Sequence, residues 1–313
     1  MSRGQYILRR IVHMVPVLIG ITFIVFLLVH LIPGDPVLTM LGIHARPEAV
    51  TALRHELGLD RPLWEQYAIY LRNLVQLDLG DSIKYKQSVA SLIQKRIGVS
   101  LFLIGYATVL TIAISLPLGI AAALKKDSIF DQIVRSLLMV TMVMPAFWVG
   151  ILLLIFFSIK LDFFPVSGYG EGLADHLHHL FLPALTISLS IAPILVRSLR
   201  GSILEAMSAD YVRTARAKGL GEQVVVMAHV LRNALIPAVT LLGLSVGYLM
   251  GGTVIVERVF SLPGAGALLV DSIGARDYPV VQSMTLIFAA LVILVNLATD
   301  LTYTFLDPRV RLG

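Results

Sequence analysis

The sequence predicts an all-α polytopic membrane protein with six transmembrane helices. Of its 313 residues, 57% belong to the set AVILMFWYC and only 14% are charged, against about 25% in an ordinary soluble domain. The apolar residues also gather into six nearly uncharged runs of about 20 residues, the length that spans a bilayer. A mean hydropathy of +0.84 makes lipid the solvent for much of the chain. This composition excludes disorder, collagen and a disulfide scaffold, and the absence of cysteine excludes thiolate metal sites. The net charge of +5 is spread over basic residues scattered singly between apolar stretches, so it forms no nucleic-acid surface.

The first run, 11–32, follows Arg9 and Arg10 and ends in Pro33-Gly34-Asp35-Pro36 without a small-residue cleavage site, which reads as an uncleaved anchor. Its two histidines, His13 and His30, read as interfacial or packed. Residues 33–98 read as helical: 47–57 stops at Gly58, Pro62 opens a run containing Trp64, Tyr67 and Tyr70, and 89–97 is a third. They form a small cap that stays with the anchor, giving an N-terminal region of residues 1–98 and a five-span core of residues 99–313. The remaining spans fall near 99–124, 137–159, 180–196, 235–256 and 283–306. Pro16, Pro117, Pro145, Pro193 and Pro237 mark kinks and moving parts within them.

Orientation follows from the Lys and Arg count. With the N-terminus inside, the inner segments carry 14 of these residues, the two short outer loops 3, and the long segment 33–98 the other 8. Long translocated segments obey the positive-inside rule weakly, so the contrast of 14 with 3 decides: both termini are expected in the cytoplasm.

Enzyme machinery is hard to find. Gly243-Leu244-Ser245-Val246-Gly247 fits the G-x-S-x-G nucleophile pattern, but that motif needs a strand-to-helix turn, and here it lies mid-span. Gly243, Gly247 and Gly251 instead form a small-residue ridge for close helix packing. His176, His178 and His179 lack a third and fourth ligand at defined spacing and read as a polar interfacial loop. Neither H-E-x-x-H nor G-x-x-x-x-G-K-[ST] occurs, so zinc proteolysis and nucleotide hydrolysis are not built into the chain. Asn296 and Asp300 share a helix face near the inner end of the last span and read as a structural polar pair. With so few intramembrane charges, a proton-coupled carrier lacks its engine.

Residues 197–233 are too long for a mere connection. Ile203, Met207 and Tyr211 recur every fourth residue beside Leu204 and Val212, predicting an amphipathic helix that stops at Gly219, with a second helical run leading to Pro237. Such a helix can lie on lipid headgroups or dock into a partner protein, and physics alone does not choose. Arg213, Arg216 and Lys218 fit either use.

Several motifs now resemble one family. Asp210-Tyr211-Val212-Arg213-Thr214-Ala215-Arg216-Ala217-Lys218-Gly219-Leu220, followed by Leu231-Arg232-Asn233-Ala234-Leu235-Ile236-Pro237, resembles the cytoplasmic "EAA" loop of binding-protein-dependent ABC importer permeases of the oligopeptide, dipeptide, nickel and glutathione group. Leu8-Arg9-Arg10, Ile32-Pro33-Gly34-Asp35-Pro36, Leu57-Gly58-Leu59-Asp60, Asp78-Leu79-Gly80, Arg276-Asp277-Tyr278-Pro279-Val280 and Asp307-Pro308-Arg309 extend the likeness over nearly the whole chain. Phe260-Ser261-Leu262-Pro263-Gly264-Ala265-Gly266 stands where relatives often carry Trp-Pro-Gly-Leu-Gly.

The resemblance implies the type I importer permease fold and a non-catalytic subunit without a cofactor of its own. It implies four kinds of surroundings: a second homologous permease subunit, two cytosolic ATPases that carry ATP and Mg, an extracytoplasmic solute-binding protein, and the lipid bilayer. Nucleic acid has no part. Glu205, Met207, Asp210, Tyr211, Arg213, Thr214, Ala215, Arg216, Lys218 and Gly219 would form the ATPase-coupling loop, with Tyr211 and Met207 as apolar anchors and the basic residues facing ATPase acids. Short peptides are the first cargo implied, nickel chelates and glutathione the alternatives. A secondary transporter or channel, and an intramembrane hydrolase using Ser245, are the competing readings; neither explains the long inner loop. Ser100, Thr108, Thr111 and Ser115 are candidates for the polar pore lining.

Overall fold

A computed structural model of the chain describes residues 3–31, 36–42, 44–56 and 58–306. All regular elements among them are helical: α1 (Arg3–Leu31), α2 (Pro36–Leu41), α3 (Pro47–Glu56), α4 (Leu63–Val75), α5 (Val89–Leu124), α6 (Ile129–Val143), α7 (Ala146–Leu153, continued by a π-helical stretch Leu154–Lys160), α8 (Gly172–Ser208), α9 (Asp210–Ala217), α10 (Glu222–Val224, continued by π turns Val225–Val230), α11 (Leu231–Val259), α12 (Ala265–Gly274) and α13 (Tyr278–Leu306). The motifs at 32–35, Leu57 and 307–309 lie outside the described residues.

Two compact units emerge. The first holds the chain to Gly98 together with Pro263–Ile293. Its α1 is 29 residues long, about 43 Å at 1.5 Å per residue, but among the described residues its apolar stretch is limited to Val12–Leu27, shorter than the expected first span 11–32. Near the end of α1, Thr22 and His30 hydrogen-bond Tyr67 and Gln66 of α4 at 3.0 Å, and Phe26 packs against the rings of Tyr67 and Tyr70. His30 thus bonds α4 and contacts the Phe26 ring while remaining exposed. Elsewhere in this unit, Val89, Leu92 and Ile93 at the start of α5 form a core with Ala265 and Leu268 of α12 and Val280 and Met284 of α13. That shared apolar core is why 263–293 groups with the N-terminal region, and not with the five-span core to which the span pattern assigns it. The expected third outer helix, 89–97, is also not separate: α5 runs unbroken for 36 residues.

The second unit, Val99–Leu262 with the segment from Leu294, is organised around α8. This 37-residue helix buries fifteen residues and packs against α6, α7, α9 and α11. Helices α5, α8, α11 and α13 each include a stretch long and apolar enough to cross a membrane. The third predicted span behaves otherwise. Its two halves, Ile129–Val143 and Ala146–Lys160, meet at an angle of 108° at Met144 and Pro145, where Pro145 caps α7 in an extended conformation. Pro117, Pro193 and Pro237 lie inside continuous helices, so only Pro145 converts its kink signal into a break.

The glycine ridge of α11 is uneven. At Gly243 a β-carbon would collide with the side chain of Thr299 on α13, whereas one at Gly251 would meet open space; Gly247 is half-buried. Close approach is therefore concentrated at Gly243. Replacing Gly243 by alanine is expected to destabilise the chain by about 1–3 kcal/mol through overpacking. Adding Thr299→Ala should recover most of the loss, and Gly251→Ala should leave the isolated chain unchanged; thermal unfolding in detergent measures all three.

Candidate coupling segment and its supports

The segment 205–222 begins where α8 overruns the predicted span. Helical pairing ends at Ser208, and Ala209 adopts an extended conformation (φ −72°, ψ 148°) before Asp210 opens α9. The single amphipathic helix expected over this stretch is therefore two helices. The break resets the helical phase: Ile203 and Ala206 on α8 and Val212 and Ala215 on α9 all enter one core, joined by Val225, Val226, Val230 and Leu231. Met207 packs at the edge of this core, while Tyr211 is 43% exposed. The two expected anchors thus divide, one facing inward and one outward. The π turns after α10 serve the same core, since residues five apart stack in a π-helix, which brings Val225 over Val230 and Val226 over Leu231.

Gly219 closes α9. Its φ is +80°, the left-handed region that glycine occupies at no steric cost. The amide of Leu220 donates to the carbonyl of Ala215 and that of Gly219 to Arg216, at 3.3 and 2.9 Å. This is the paired Schellman bonding that satisfies the last carbonyls of a helix. Arg216 then clamps the turn with a bidentate pair to Glu222 (3.0 and 2.5 Å), so its guanidinium already has an acid within the chain. Arg213 approaches Asp210 at 3.6 Å, and Tyr211 Oη accepts a hydrogen bond from Asn233 at 3.2 Å. Thr214 donates to the carbonyl of Asp210, and Ser208 to that of Glu205. Lys218 makes no ion pair among the described residues and is exposed. Leu220, the last residue of the loop motif, is joined by Val224 and by Met227, itself 68% exposed, which extend the outer face with apolar surface beyond that motif. Their i, i+4, i+7 spacing is the available clue.

Behind this segment stands a pair that no sequence motif reveals. Asp131 in the first turn of α6 is fully buried and receives a bidentate fork from Arg200 of α8 at 2.8 and 2.7 Å, plus the Asp127 amide at 3.1 Å. Arg135 lies 3.5 Å away. The fork fixes α8 against α6 between two and three helical turns before α9 begins.

Other candidates behave structurally. Ser245 donates to the carbonyl of Leu241 at 2.7 Å within α11, the back-bonding of a packed helical serine. His176 stacks on Tyr169, His178 bonds the Phe163 carbonyl and His179 that of Asp175. Among the described residues no three His, Asp or Glu side chains are grouped to hold a metal. Ser100, Thr111 and Ser115 are buried within the chain, and Thr108 bonds its own helix at Ile104. Asn296 is exposed, and the side chain of Asp300 lies outside the described ones.

Residues 115–312 match the family described as the inner membrane component of binding-protein-dependent transport systems, and residues 3–104 match the N-terminal family of the same membrane components. The chain belongs to this family. It is 40% identical over 334 residues to the dipeptide transport system permease protein DppB of Escherichia coli K12, covering 98% of each chain. It is 39% identical over 307 residues to the glutathione transport system permease protein GsiC of Salmonella typhimurium LT2, covering 98% of this chain and 99% of that one. Its fold matches a chain of the MetNI methionine ABC transporter in an inward-facing conformation, with a TM-score of 0.59 at 16% identity, over 70% of this chain and 97% of that chain. The protein is accordingly a multi-pass inner-membrane permease subunit of an ABC importer, working within a transporter complex and not itself an enzyme.

In this permease two of the family-like motifs meet in space. Asp277, fully buried at the start of α13, accepts hydrogen bonds from the Ser82 hydroxyl and from the amides of Ile83 and Lys84 at 3.1 Å. Gly80 just before them turns with φ +72°.

Two outcomes test these supports. Asp131→Ala, which strands the Arg200 guanidinium, is expected to cost about 3 kcal/mol, the low end for a broken buried pair because Arg200 is not fully enclosed. Replacing both partners by leucine and methionine should cost less than Asp131→Ala alone in thermal unfolding. At the turn, the Arg216 guanidinium holds Glu222 below the usual carboxylate range. That contribution is present above the unfolded-state pKa of glutamate and disappears as pH falls through the lowered folded value. Carboxyl NMR of Glu222 should give a midpoint below an ordinary glutamate's, returning to normal in Arg216→Gln.

Proposed function

We propose that 205–222 is the surface through which this permease couples to a cytosolic ATPase, with both termini on the same side as that surface. The observation that carries the reading is the division of α9. Val212 and Ala215 bind it to the permease core while Tyr211, Arg213, Thr214 and Lys218 remain outside. A short helix so anchored and so exposed transmits a push instead of absorbing it. The exposed Leu220, Val224 and Met227 extend the contact, and Lys218 and Arg213 supply its charge. The count of 14 basic residues on this side against 3 in the short outer loops supports a cytoplasmic placement.

The complete importer in this reading contains a second homologous permease, two ATPases that bind ATP and Mg, and an extracytoplasmic binding protein. This chain supplies half the pore and no cofactor. Closure of the ATPase pair shifts the two coupling segments as rigid bodies and turns the pore toward the binding protein. Short peptides are the cargo the comparisons favour, because dipeptides and glutathione, itself a tripeptide, name the systems of the two relatives.

The chain contains no cysteine, so single cysteines report cleanly. Lys218→Cys is expected to react with a membrane-impermeant maleimide in inverted vesicles and not in sealed cells, and to be shielded when the ATPases are bound. Labelling from the outer face, or without protection, would overturn the placement. Gly219→Val forces a branched side chain into positive φ at a cost of about 1 kcal/mol or more. It should leave the chain in the membrane at normal levels while abolishing ATP-dependent dipeptide uptake; Gly219→Asn, which tolerates that conformation, should retain uptake.

A further inference from the structure

Between α6 and α8 lies a cavity of about 700 Å³. Arg135, Arg197 and Arg200 line it together with Gln132, and Leu138 and Val196 form its apolar wall. No carboxylate is among its lining residues; Asp131, fully buried outside the lining, is occupied by the Arg200 fork. Three guanidinium groups line the cavity against Asp131, which Arg135 and Arg200 share, and the more distant charge of Asp127, so the lining is net positive. Arg200 spends its Nε and one Nη2 hydrogen on Asp131, which holds it rigidly and leaves three of its five N–H donors. Arg197 contacts only the sulfur of Met142, at 3.9 Å, and has no acid among the described residues. A pre-oriented arginine beside two that lack full neutralisation is the donor set that suits a tetrahedral oxyanion, because guanidinium forks bind phosphate oxygens in pairs.

The apolar side of the cavity says which phosphate. Leu138 and Met139 lead one turn on along α6 to exposed Met142 and Val143, so polar donors and an apolar strip adjoin on one face. Arg197 and Arg200 follow within four residues the predicted end of the fourth span, and Lys125, Lys126 and Arg135 stand in the basic segment before α6 bends. Donors at the rim of a span with an apolar strip leading away match a headgroup with its acyl chains, and a free anion has no use for the strip. We propose that this cavity binds the phosphate group of an anionic phospholipid, clamped by Arg135, Arg197 and Arg200 between α6 and α8. The site is separate from the coupling face and does not depend on the ATPase reading.

The test uses the intact permease complex, delipidated in detergent and titrated with phosphatidylglycerol or phosphatidylcholine, with bound lipid counted by native mass spectrometry. Inorganic phosphate is the soluble competitor. Arg135→Gln with Arg197→Gln removes two donors and leaves the Asp131–Arg200 pair intact. Wild type should prefer phosphatidylglycerol by about tenfold or more, and the double variant should lose that preference while keeping its Tm without lipid. Equal binding of both lipids, or a preference unchanged in the double variant, would overturn the proposal. Displacement of phosphatidylglycerol by inorganic phosphate at equal concentration would assign the cavity to the free anion and overturn the lipid assignment.

Discussion

Inside a bilayer no water is available to satisfy a stray amide or carbonyl, and an unsatisfied one costs several kcal/mol. Much of this permease is a response to that single constraint. It explains why the segments apolar enough to cross the membrane are helices and why hydroxyl side chains within them turn back on their own backbones. Thr111, Thr186, Ser188, Thr240, Ser245, Thr285 and Thr299 each donate to the carbonyl four residues earlier. Ser188 also reaches across to the carbonyl of Ala107 on α5 at 2.9 Å, turning a self-satisfying bond into a contact between helices. The same constraint decides what a proline does. Pro145 starts a new helix at an angle of 108°, and at an N-terminal position its missing N–H removes no helical bond.

Buried carboxylates meet a related demand, because a charge removed from water must find donors. Asp131 takes an arginine fork and a backbone amide, Asp277 a hydroxyl and two amides, and Glu257 the hydroxyl of Ser100. The side-chain partners are distant in sequence, by 69, 195 and 157 residues. These groups therefore act as staples between segments whose contact would otherwise rest on non-directional apolar packing. For Asp277 the staple joins the turn after Gly80 to the start of α13, which gives a physical reason for an aspartate in the Arg276-Asp277-Tyr278-Pro279 run.

The sequence made the membrane class and four of its six expected spans, those in α5, α8, α11 and α13, legible because both depend on composition over 20-residue windows, which tertiary structure does not alter. It also located Gly219, since a glycine after an amphipathic run is a local cap with a local cause. It failed where one residue changes the phase. Ile203, Met207 and Tyr211 lie four apart and look like one stripe, but the extended Ala209 rotates the next helix, so Val212 and Ala215 go inward and Tyr211 outward. Glu257 escapes the span pattern because the uncharged run ends at Val256, while α11 continues to Val259. The Arg200 fork was invisible for a different reason. Six basic residues occupy 197–233, and positive-inside statistics account for all of them equally well. Only three-dimensional proximity shows which of them a buried carboxylate holds.

A coupling element has to be stiff in itself and stiffly joined to whatever it moves. In α9, the proposed coupling element, the two requirements are met by different bonds. Internal stiffness comes from the Schellman turn and the Arg216–Glu222 clamp, which fix the chain on both sides of Gly219. Attachment comes from Val212 and Ala215, buried among residues of α8 and of the π turns leading into α11. A force applied to α9 therefore enters two long helices at once. At α8 it meets the Arg200 fork within about three turns of the break at Ala209, where α6 is tied on. The break at Pro145 leaves both halves of that span against α8, α6 through the Arg200 fork and α7 by packing, so α8 is the element through which a displacement of α9 reaches either half.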